Sequence, residues 1–203
     1  RLRPQNLDQY LGQSHLIGEN GPIRLAIKND LIPSMIFWGP PGVGKTTLAH
    51  IISQSLDRPF YTLSAINSGV KDIREVIQKA SSNGLFNGGK SPILFIDEIH
   101  RFSKSQQDSL LGAVEKGTIT LIGATTENPS FEVISALLSR SQVYILKHHT
   151  EEELKQLLQK AITSDVELKN RSIKIVETEA LIKLSSGDAR KLLNNFELVV
   201  NSL

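Results

Sequence analysis

The sequence predicts an α/β fold, in which helices cover a parallel sheet, followed by a small helical domain. Short continuous apolar runs alternate with amphipathic segments along residues 35–146, as expected for strands buried on both faces. A glycine-rich segment at residues 39–46 directly follows the first of these runs and precedes a helical stripe. After Lys147 the strand-like runs cease, and only helical periodicity remains.

Five candidate strands occupy residues 35–38, 60–63, 93–96, 120–124 and 143–146. The apolar runs among them are four residues long in two cases, which suits buried strands and is far too short to cross a bilayer. Apolar residues spaced three or four apart predict the intervening helices. These residues are Leu48, Ile51, Ile52 and Leu56 in the first helix, Val70, Ile73, Val76, Ile77 and Ala80 in the second, and Leu110, Leu111 and Val114 in the third.

The second part of the chain begins with an N-cap signal. Thr150 stands immediately before three glutamates, which favour the positive end of a helix. Two apolar stripes follow, within residues 154–161 and 189–200. We therefore predict an α/β domain at residues 1–148 and a helical domain at residues 149–203. Because the sequence begins without methionine and ends within a helical pattern, we expect it to be part of a longer protein.

Composition excludes several kinds of site. The chain contains no cysteine, so it has neither a disulfide framework nor a thiolate metal site, and a reducing compartment would suit it. The net charge of +2 is too small to indicate a nucleic-acid-binding surface by itself. The histidines at positions 15, 100, 148 and 149 lack the spacing of a zinc site, and we expect them to be structural or exposed.

Residues 39–46 match the pattern G-x-x-x-x-G-K-[S/T] between a strand and a helix. Glycine lets such a loop curl so that its N–H groups point at phosphate oxygens, and the helix N-terminus adds positive potential. Lys45 can reach the β- and γ-phosphates, and the Thr46 hydroxyl can bind Mg²⁺. The sequence therefore predicts a nucleoside triphosphate site formed by Gly39, Pro40, Pro41, Gly42, Val43, Gly44, Lys45, Thr46 and Thr47.

Two alternatives compete with this interpretation. A loop rich in glycine and proline can simply turn the chain, although here the flanking elements match those of a phosphate loop. A dinucleotide site needs G-x-G-x-x-G and an acidic residue at the end of the second strand. The glycine spacing differs here, and residues 60–64 read Phe-Tyr-Thr-Leu-Ser, so we reject the dinucleotide site.

A pair of carboxylates follows the third candidate strand. Asp97 and Glu98 come directly after four apolar residues, which brings them to the edge of a parallel sheet where ligands bind. Because neighbouring residues of a strand point to opposite sides, one carboxylate can bind Mg²⁺ while the other polarises water. We assign the metal role to Asp97 and the water role to Glu98. The alternative is an ordinary acidic surface turn.

Three further segments complete an ordered set of motifs. They are Gly-Ala-Thr-Thr-Glu-Asn-Pro at 123–129, Leu-Ser-Arg at 138–140 and Gly-Asp-Ala-Arg at 187–190. Together with the two sites above, this set resembles the AAA+ superfamily of P-loop NTPases, in its clamp-loader-like branch. Residues 97–108, 122–131, 3–4 and 10–16 are similar to the replication-associated recombination protein A family (RarA, also called MgsA). That family is related to the yeast Mgs proteins and the Werner-helicase-interacting ATPase, and the resemblance extends over nearly all 203 residues.

The resemblance implies roles for three further polar residues. Thr126 would be the first sensor of the γ-phosphate, with Thr125 as the alternative. Arg140 would be an arginine finger that reaches a neighbouring subunit, and Arg190 would be a second sensor from the helical lid. From the residues alone, Arg140 can also be a surface arginine at a helix end, Arg190 a partner of Asp188, and Thr126 a strand cap.

The resemblance also assigns residues 3–13 to the adenine, mainly through their backbone, with contacts from Tyr10, Leu11, Gly12 and Gln13. Ser64 is a candidate for holding Glu98 away from water until a partner binds. Clamp loaders usually carry cysteine after the finger arginine, whereas this chain has Ser141, which favours the RarA-like branch.

The function implied is Mg²⁺-dependent ATP hydrolysis coupled to DNA, in replication-fork maintenance, recombination and repair. The expected partners are gapped, branched or stalled-fork DNA, other copies of the chain, and replication proteins such as single-strand binding protein, without a membrane. We expect a bacterial cytoplasmic protein associated with the nucleoid. The alternatives are a clamp-loader subunit, a branch-migration motor, or an ATP-switched scaffold without catalysis. Basic residues beyond the acidic pair could face DNA or could be solvated helix faces.

Overall fold

The computed structural model describes residues 2–65, 68–84, 90–169 and 173–202. Its strands are β1 Met35–Trp38, β2 Phe60–Ser64, β3 Ile93–Asp97, β4 Thr120–Thr125 and β5 Gln142–Ile145. The helices of the first 148 residues are α1 Ser14–Ile17, α2 Pro22–Lys28, α3 Lys45–Ser55, α4 Val70–Gly84, α5 Lys104–Glu115, α6 Pro129–Glu132 and α7 Ser135–Leu138. The later helices are α8 Glu151–Ser164, α9 Glu179–Ser185 and α10 Ala189–Asn201.

The five strands form one parallel sheet in the order β2-β3-β4-β1-β5. Strand β4 therefore lies between β1, which leads into the glycine-rich loop, and β3, which ends in the acidic pair. Its last residue, Thr125, is opposite Trp38 at the end of β1. On the other side of β3, Asp97 is opposite Ser64. This confirms the predicted parallel sheet with flanking helices, and it brings the glycine-rich loop, the acidic pair and the 125–126 segment to one edge.

Most element boundaries lie within one or two residues of those expected from the sequence. Strand β5 begins and ends one residue earlier than predicted, because its pairing is set by β1, where Met35 is opposite Gln142. The short helices α1, α6 and α7 were not predicted, since four residues make about one turn and cannot display a helical repeat. The Thr150 N-cap is confirmed as a capping box with Glu153.

The sheet separates two apolar clusters, and the helical part has a third. Strand β1 contributes Phe37 to one cluster and Ile36 to the other, as alternating side chains must. The third cluster is built around Leu158 and Leu192 of α8 and α10, both fully buried. A helical part with its own core is compatible with two domains, and the boundary at residue 148 stays a prediction. Within the described ranges, no helix has the length and apolar character needed to span a membrane.

Candidate functional site

The loop between β1 and α3 turns tightly at two glycines. Gly42 and Gly44 have φ of 72° and 95°, a left-handed conformation that side chains disfavour. Neighbours also close off the space that a side chain would need. A Cβ at Gly44 would overlap the Tyr10 phenol, and one at Gly42 would overlap the Asp188 carboxylate. Only glycine therefore fits these two positions without displacing a neighbour.

A cavity of about 410 Å³ opens between this loop and the helical part. Most of the residues predicted to bind nucleotide line it: Tyr10, Leu11, Pro41, Gly42, Val43, Gly44, Lys45, Thr46, Thr47, Asp97, Glu98 and Arg190. Its wall also includes apolar side chains, namely those of Leu2, Leu157 and Leu193. Six predicted site residues do not line it: Gly39, Pro40, Gly12, Gln13, Thr126 and Arg140.

Lys45, the first residue of α3, is the buried cation of this cavity. Its side-chain ammonium donates to the carbonyl oxygens of Gly39 and Pro40 at 2.6 and 2.8 Å, so these two residues hold the lysine in place. Burial lowers the pKa of Lys45, and the nearby Glu98 and Asp97 carboxylates oppose that shift. The ammonium group thus sits in a polar, mainly enclosed place where an anion would stabilise its charge.

The two acidic residues differ in backbone conformation. Asp97 ends β3 in the sheet, whereas Glu98 has φ of 53° and begins the short turn that follows. This change of direction lets both residues line the same cavity, although the sequence pattern predicted only that they point to opposite sides of the strand. The left-handed Glu98 is one of five such non-glycine residues in the described parts of the chain. Its strain is consistent with a functional position.

The Glu98 carboxylate has two neighbours that the sequence did not identify as its partners. His100 Nε2 lies 3.2 Å from Glu98 Oε2, and the Thr126 hydroxyl donates to the same oxygen at 3.5 Å. The hypothesis that Ser64 holds Glu98 finds no support, since no hydrogen bond joins them in the part of the chain that the structure describes. His100 was not identified as a site residue from the sequence, because the histidines were considered only as ligands of a zinc ion. The partners of His100 are instead a carboxylate and a hydroxyl.

The N-terminal segment reaches the loop through Tyr10. Its phenol donates to the Val43 carbonyl at 2.9 Å, and burial strongly raises the pKa of Tyr10. Gln13 instead exchanges two hydrogen bonds with the backbone of Lys147, at 2.7 and 2.9 Å, which ties the segment to the end of the sheet. Tyr10 is thus positioned at the cavity, while Gln13 is engaged elsewhere.

The helical part contacts the glycine-rich loop directly. The Asp188 side chain caps α10 by accepting a hydrogen bond from the Lys191 backbone at 2.9 Å. The backbone N–H of Ala189 donates to the Gly42 carbonyl at 3.3 Å. Within the described residues no ion pair joins Arg190 to Asp188, so the local salt bridge considered for Arg190 is not formed. Arg190 faces the cavity.

Arg140 lies in a different groove, between the α5 end and the loop before β1. Its guanidinium forms an ion pair with Glu115 at 2.7 Å and donates to the Ala136 carbonyl at 2.9 Å. Its side chain is 41% exposed, so it is accessible to another molecule. Arg140 does not contribute to the cavity of its own chain.

Comparison with known families agrees with this geometry. The model of the ATPase family associated with various cellular activities (AAA) matches residues 35–149, which include the glycine-rich loop, the acidic pair and Arg140. A fold of this family with a phosphate loop implies nucleotide binding.

Curated relatives extend the match over almost the whole chain. Replication-associated recombination protein A of Haemophilus influenzae is 51% identical over 99% of this chain. The protein of the same name from Escherichia coli strain K12 is 48% identical over 99% of the chain. In each case the chain spans about 45% of the relative's length. These matches confirm the resemblance drawn from residues 97–108 and 122–131.

A solved structure shows the same architecture. The Thermotoga maritima RuvB Holliday junction branch migration motor superimposes with a TM-score of 0.76 and 31% identity, over 95% of this chain and 63% of RuvB. The parallel sheet, the glycine-rich loop with its buried lysine and the match to the family model together show that this chain belongs to the AAA family of ATPases.

Proposed function

We propose that this chain binds ATP with Mg²⁺ and hydrolyses it to ADP and phosphate. One observation carries the proposal: a single cavity gathers the phosphate loop, the Lys45 ammonium, the acidic pair and Arg190. These groups come from three separate parts of the sequence. Their convergence is what transfer of a phosphoryl group to water needs, since such catalysis depends mainly on positioning and on charge neutralisation.

The cavity has regions suited to each part of the nucleotide. The curled loop and Lys45 would hold the phosphates, and the apolar wall from Leu11, Leu157 and Leu193 would accept the adenine. The proposed adenine contacts of Gly12 and Gln13 would be indirect, through the placement of the neighbouring Tyr10 and Leu11.

The residues at the cavity also suit Mg²⁺. Thr46 and Asp97 offer the oxygen ligands that this ion prefers, and both line the same cavity. The described residues contain no group of three or more His, Cys, Asp or Glu side chains that would bind a metal alone. That fits a Mg²⁺ site completed by substrate phosphates and water. When bound, Mg²⁺ would neutralise phosphate charge.

Glu98 would orient and polarise the water that attacks the γ-phosphorus, while the bond from that phosphorus to the bridging oxygen breaks. Lys45 and Arg190 would stabilise the charge that develops on the phosphate oxygens. Thr126 would sense the γ-phosphate through its contact with Glu98, and Thr125 is the alternative sensor.

Arg140 is proposed to act on a neighbouring copy of the chain. It lies outside its own cavity and is accessible, and a planar guanidinium suits bidentate contact with phosphate. This role requires a homo-oligomer in which Glu115 releases the arginine. An arginine supplied in this way can be worth about 10³–10⁵ in rate.

For the whole protein, we propose DNA-dependent ATPase activity in replication-fork maintenance and recombination, in the bacterial cytoplasm near the nucleoid. The names of the curated relatives support this proposal, and gapped, branched or stalled-fork DNA and single-strand binding protein are the proposed partners. The second candidate is a branch-migration motor, favoured by the structural likeness to RuvB.

The test is the ATPase rate of the purified protein with no DNA, gapped duplex, a fork and a four-way junction. We expect slow hydrolysis without DNA and stimulation by gapped or forked DNA. Preferential stimulation by four-way junctions would favour the branch-migration motor. Absence of hydrolysis under all four conditions, with ATP still bound, would favour the ATP-switched scaffold.

A further inference from the structure

Glu98 and three neighbouring side chains form a continuous series of contacts. His100 Nε2 lies 3.2 Å from Glu98 Oε2, and His100 Nδ1 lies 3.0 Å from the Thr125 hydroxyl oxygen. The Thr126 hydroxyl donates to the same Glu98 oxygen at 3.5 Å. The His100 side chain is 12% exposed and does not line the cavity, so it would not touch nucleotide.

The two contacts of the imidazole favour a hydrogen on Nε2. A neutral imidazole carries its hydrogen on one nitrogen only. If that nitrogen were Nδ1, the Nε2 lone pair would face a carboxylate oxygen, which is unfavourable. With hydrogen on Nε2, the ring presents a donor to Glu98, and Nδ1 accepts from the Thr125 hydroxyl when that hydroxyl turns away from its other acceptor, the Glu127 carbonyl at 3.1 Å. The imidazolium form would serve both contacts as a donor.

Thr125 connects this series to the start of the phosphate loop. It is fully buried and opposite Trp38 in the sheet, and its carbonyl accepts a hydrogen bond from the Gly39 backbone at 3.1 Å. The contacts therefore run from Gly39 through Thr125 and His100 to Glu98. Glu98 follows the end of β3 and has φ of 53°, so strand pairing does not set the direction of its side chain.

We infer that His100 is a positioning residue for Glu98, holding one carboxylate oxygen and thereby fixing the direction of the carboxylate relative to the phosphate loop. This inference rests on the proposed function, because a direction matters only if Glu98 acts on water. Nothing else in the described environment of Glu98 offers a hydrogen-bond donor to that oxygen except Thr126, whose contact is longer.

The first experiment compares His100→Ala and His100→Gln with the unchanged protein in steady-state ATPase and ATP-binding assays. His100→Ala should lower kcat about 10- to 100-fold, since misplacing a catalytic group by about 1 Å has effects of that size. The dissociation constant for ATP should change less than about twofold, because His100 lies outside the cavity. His100→Gln should recover part of the rate, because its amide offers both a donor and an acceptor.

The second experiment repeats His100→Ala in a Glu98→Gln background, with single-turnover rates. If His100 acts through Glu98, adding His100→Ala to Glu98→Gln should not lower the single-turnover rate further. The inference is overturned if His100→Ala leaves kcat unchanged, or if its effect persists at full size without the carboxylate. Circular dichroism of each variant checks the fold, and His100→Gln serves as the test where the alanine variant does not fold.

A third measurement does not depend on turnover. Imidazole ¹⁵N spectra, with the His100 signal identified by its loss in His100→Gln, should show hydrogen on Nε2 and a clear shift upon Glu98→Gln. An unshifted signal would overturn the inference even in an active enzyme. If the unchanged protein hydrolyses no ATP with any DNA while the signal does shift, the proposed function fails but the His100–Glu98 contact stands.

Discussion

The two grooves that contain predicted arginines differ in how their charges are satisfied. In the cavity at the glycine-rich loop, Lys45 is 8% exposed and its hydrogen bonds within the described residues go to backbone carbonyls of its own loop, while Arg190 lacks an ion pair among the same residues. In the second groove, Arg140 is 41% exposed and already paired with Glu115. In the first groove, Lys45 and Arg190 can therefore bind an anion from solution. In the second groove, Arg140 would have to leave Glu115 before it could bind another anion.

This difference separates the parts of the site that one chain can supply from the part that, in our proposal, a second copy would supply. The phosphate loop, acidic pair and Arg190 converge within one copy, so ATP binding should need no other chain. Arg140 should matter for turnover only where copies meet. Substitutions in the two grooves test this division, and we expect the largest effect at Arg140.

Arg140→Ala should lower kcat by about 10³–10⁵ while leaving ATP affinity nearly unchanged, because the arginine would act on the neighbour's transition state. ATPase assays and equilibrium ATP binding measure the two quantities. Mixing Arg140→Ala with Glu98→Gln should restore activity, since mixed assemblies contain sites with both groups intact. Arg24→Ala, which breaks the exposed pair with Asp8, is the matched control. Equal loss of ATP affinity would place Arg140 in its own site instead.

Glu98→Gln should lower kcat by roughly 10²–10⁴, the usual contribution of a general base, with ATP still bound. Rapid-quench assays of a single turnover would measure the chemical step directly. Glu179→Gln changes a carboxylate that is 74% exposed and should leave the rate unaltered. Normal turnover by Glu98→Gln would show that Glu98 does not act on the attacking water. The first groove would then lack its proposed catalytic residue.

Lys45→Ala should weaken ATP binding by about 100-fold, as expected for the loss of a charge-assisted contact worth about 1.5–3 kcal/mol. Calorimetric titration with a non-hydrolysable analogue checks this. Lys183→Ala removes an exposed lysine of the helical part and controls for net charge. If Lys45→Ala binds ATP as well as the unchanged chain, the first groove is not the phosphate site.

The smallest expected effect is optical. Trp38 is the only tryptophan of the chain and directly precedes the glycine-rich loop, opposite Thr125 and Ile145 in the sheet. ATP bound at the loop should therefore alter its fluorescence emission by tens of per cent or less. No change at a saturating ATP concentration, established independently by calorimetry, would argue against the loop geometry.

The sequence predicted the sheet and the glycine-rich turn well, because both depend on local patterns. Residues 35–38 and 93–96 are uniformly apolar, and the loop motif has fixed spacing. A short stretch of sequence is therefore enough to predict these strands and the loop. The partners of Glu98 could not be predicted in this way. Thr126 follows the neighbouring strand β4, and His100 reaches Glu98 through a left-handed turn, so these contacts depend on the strand order and on the φ of one residue.

The placement of Gln13 was difficult to predict for the same reason. Its hydrogen bonds join residues 134 positions apart in sequence, so no local pattern records them. Arg140 is the opposite case. A local motif identified it as a candidate residue, but its proposed role concerns a second copy of the chain.

The close approach of Gly42 and Asp188 constrains how the sequence can change. The loop glycine leaves room for the carboxylate that caps α10, and the next residue of the helix binds the loop carbonyl. A larger residue at position 42 would have to be accompanied by a shorter one at position 188, which would also remove the helix cap. Because its φ of 72° disfavours any side chain, position 42 should remain glycine even where position 188, which is 146 residues further along the chain (188 less 42), becomes shorter.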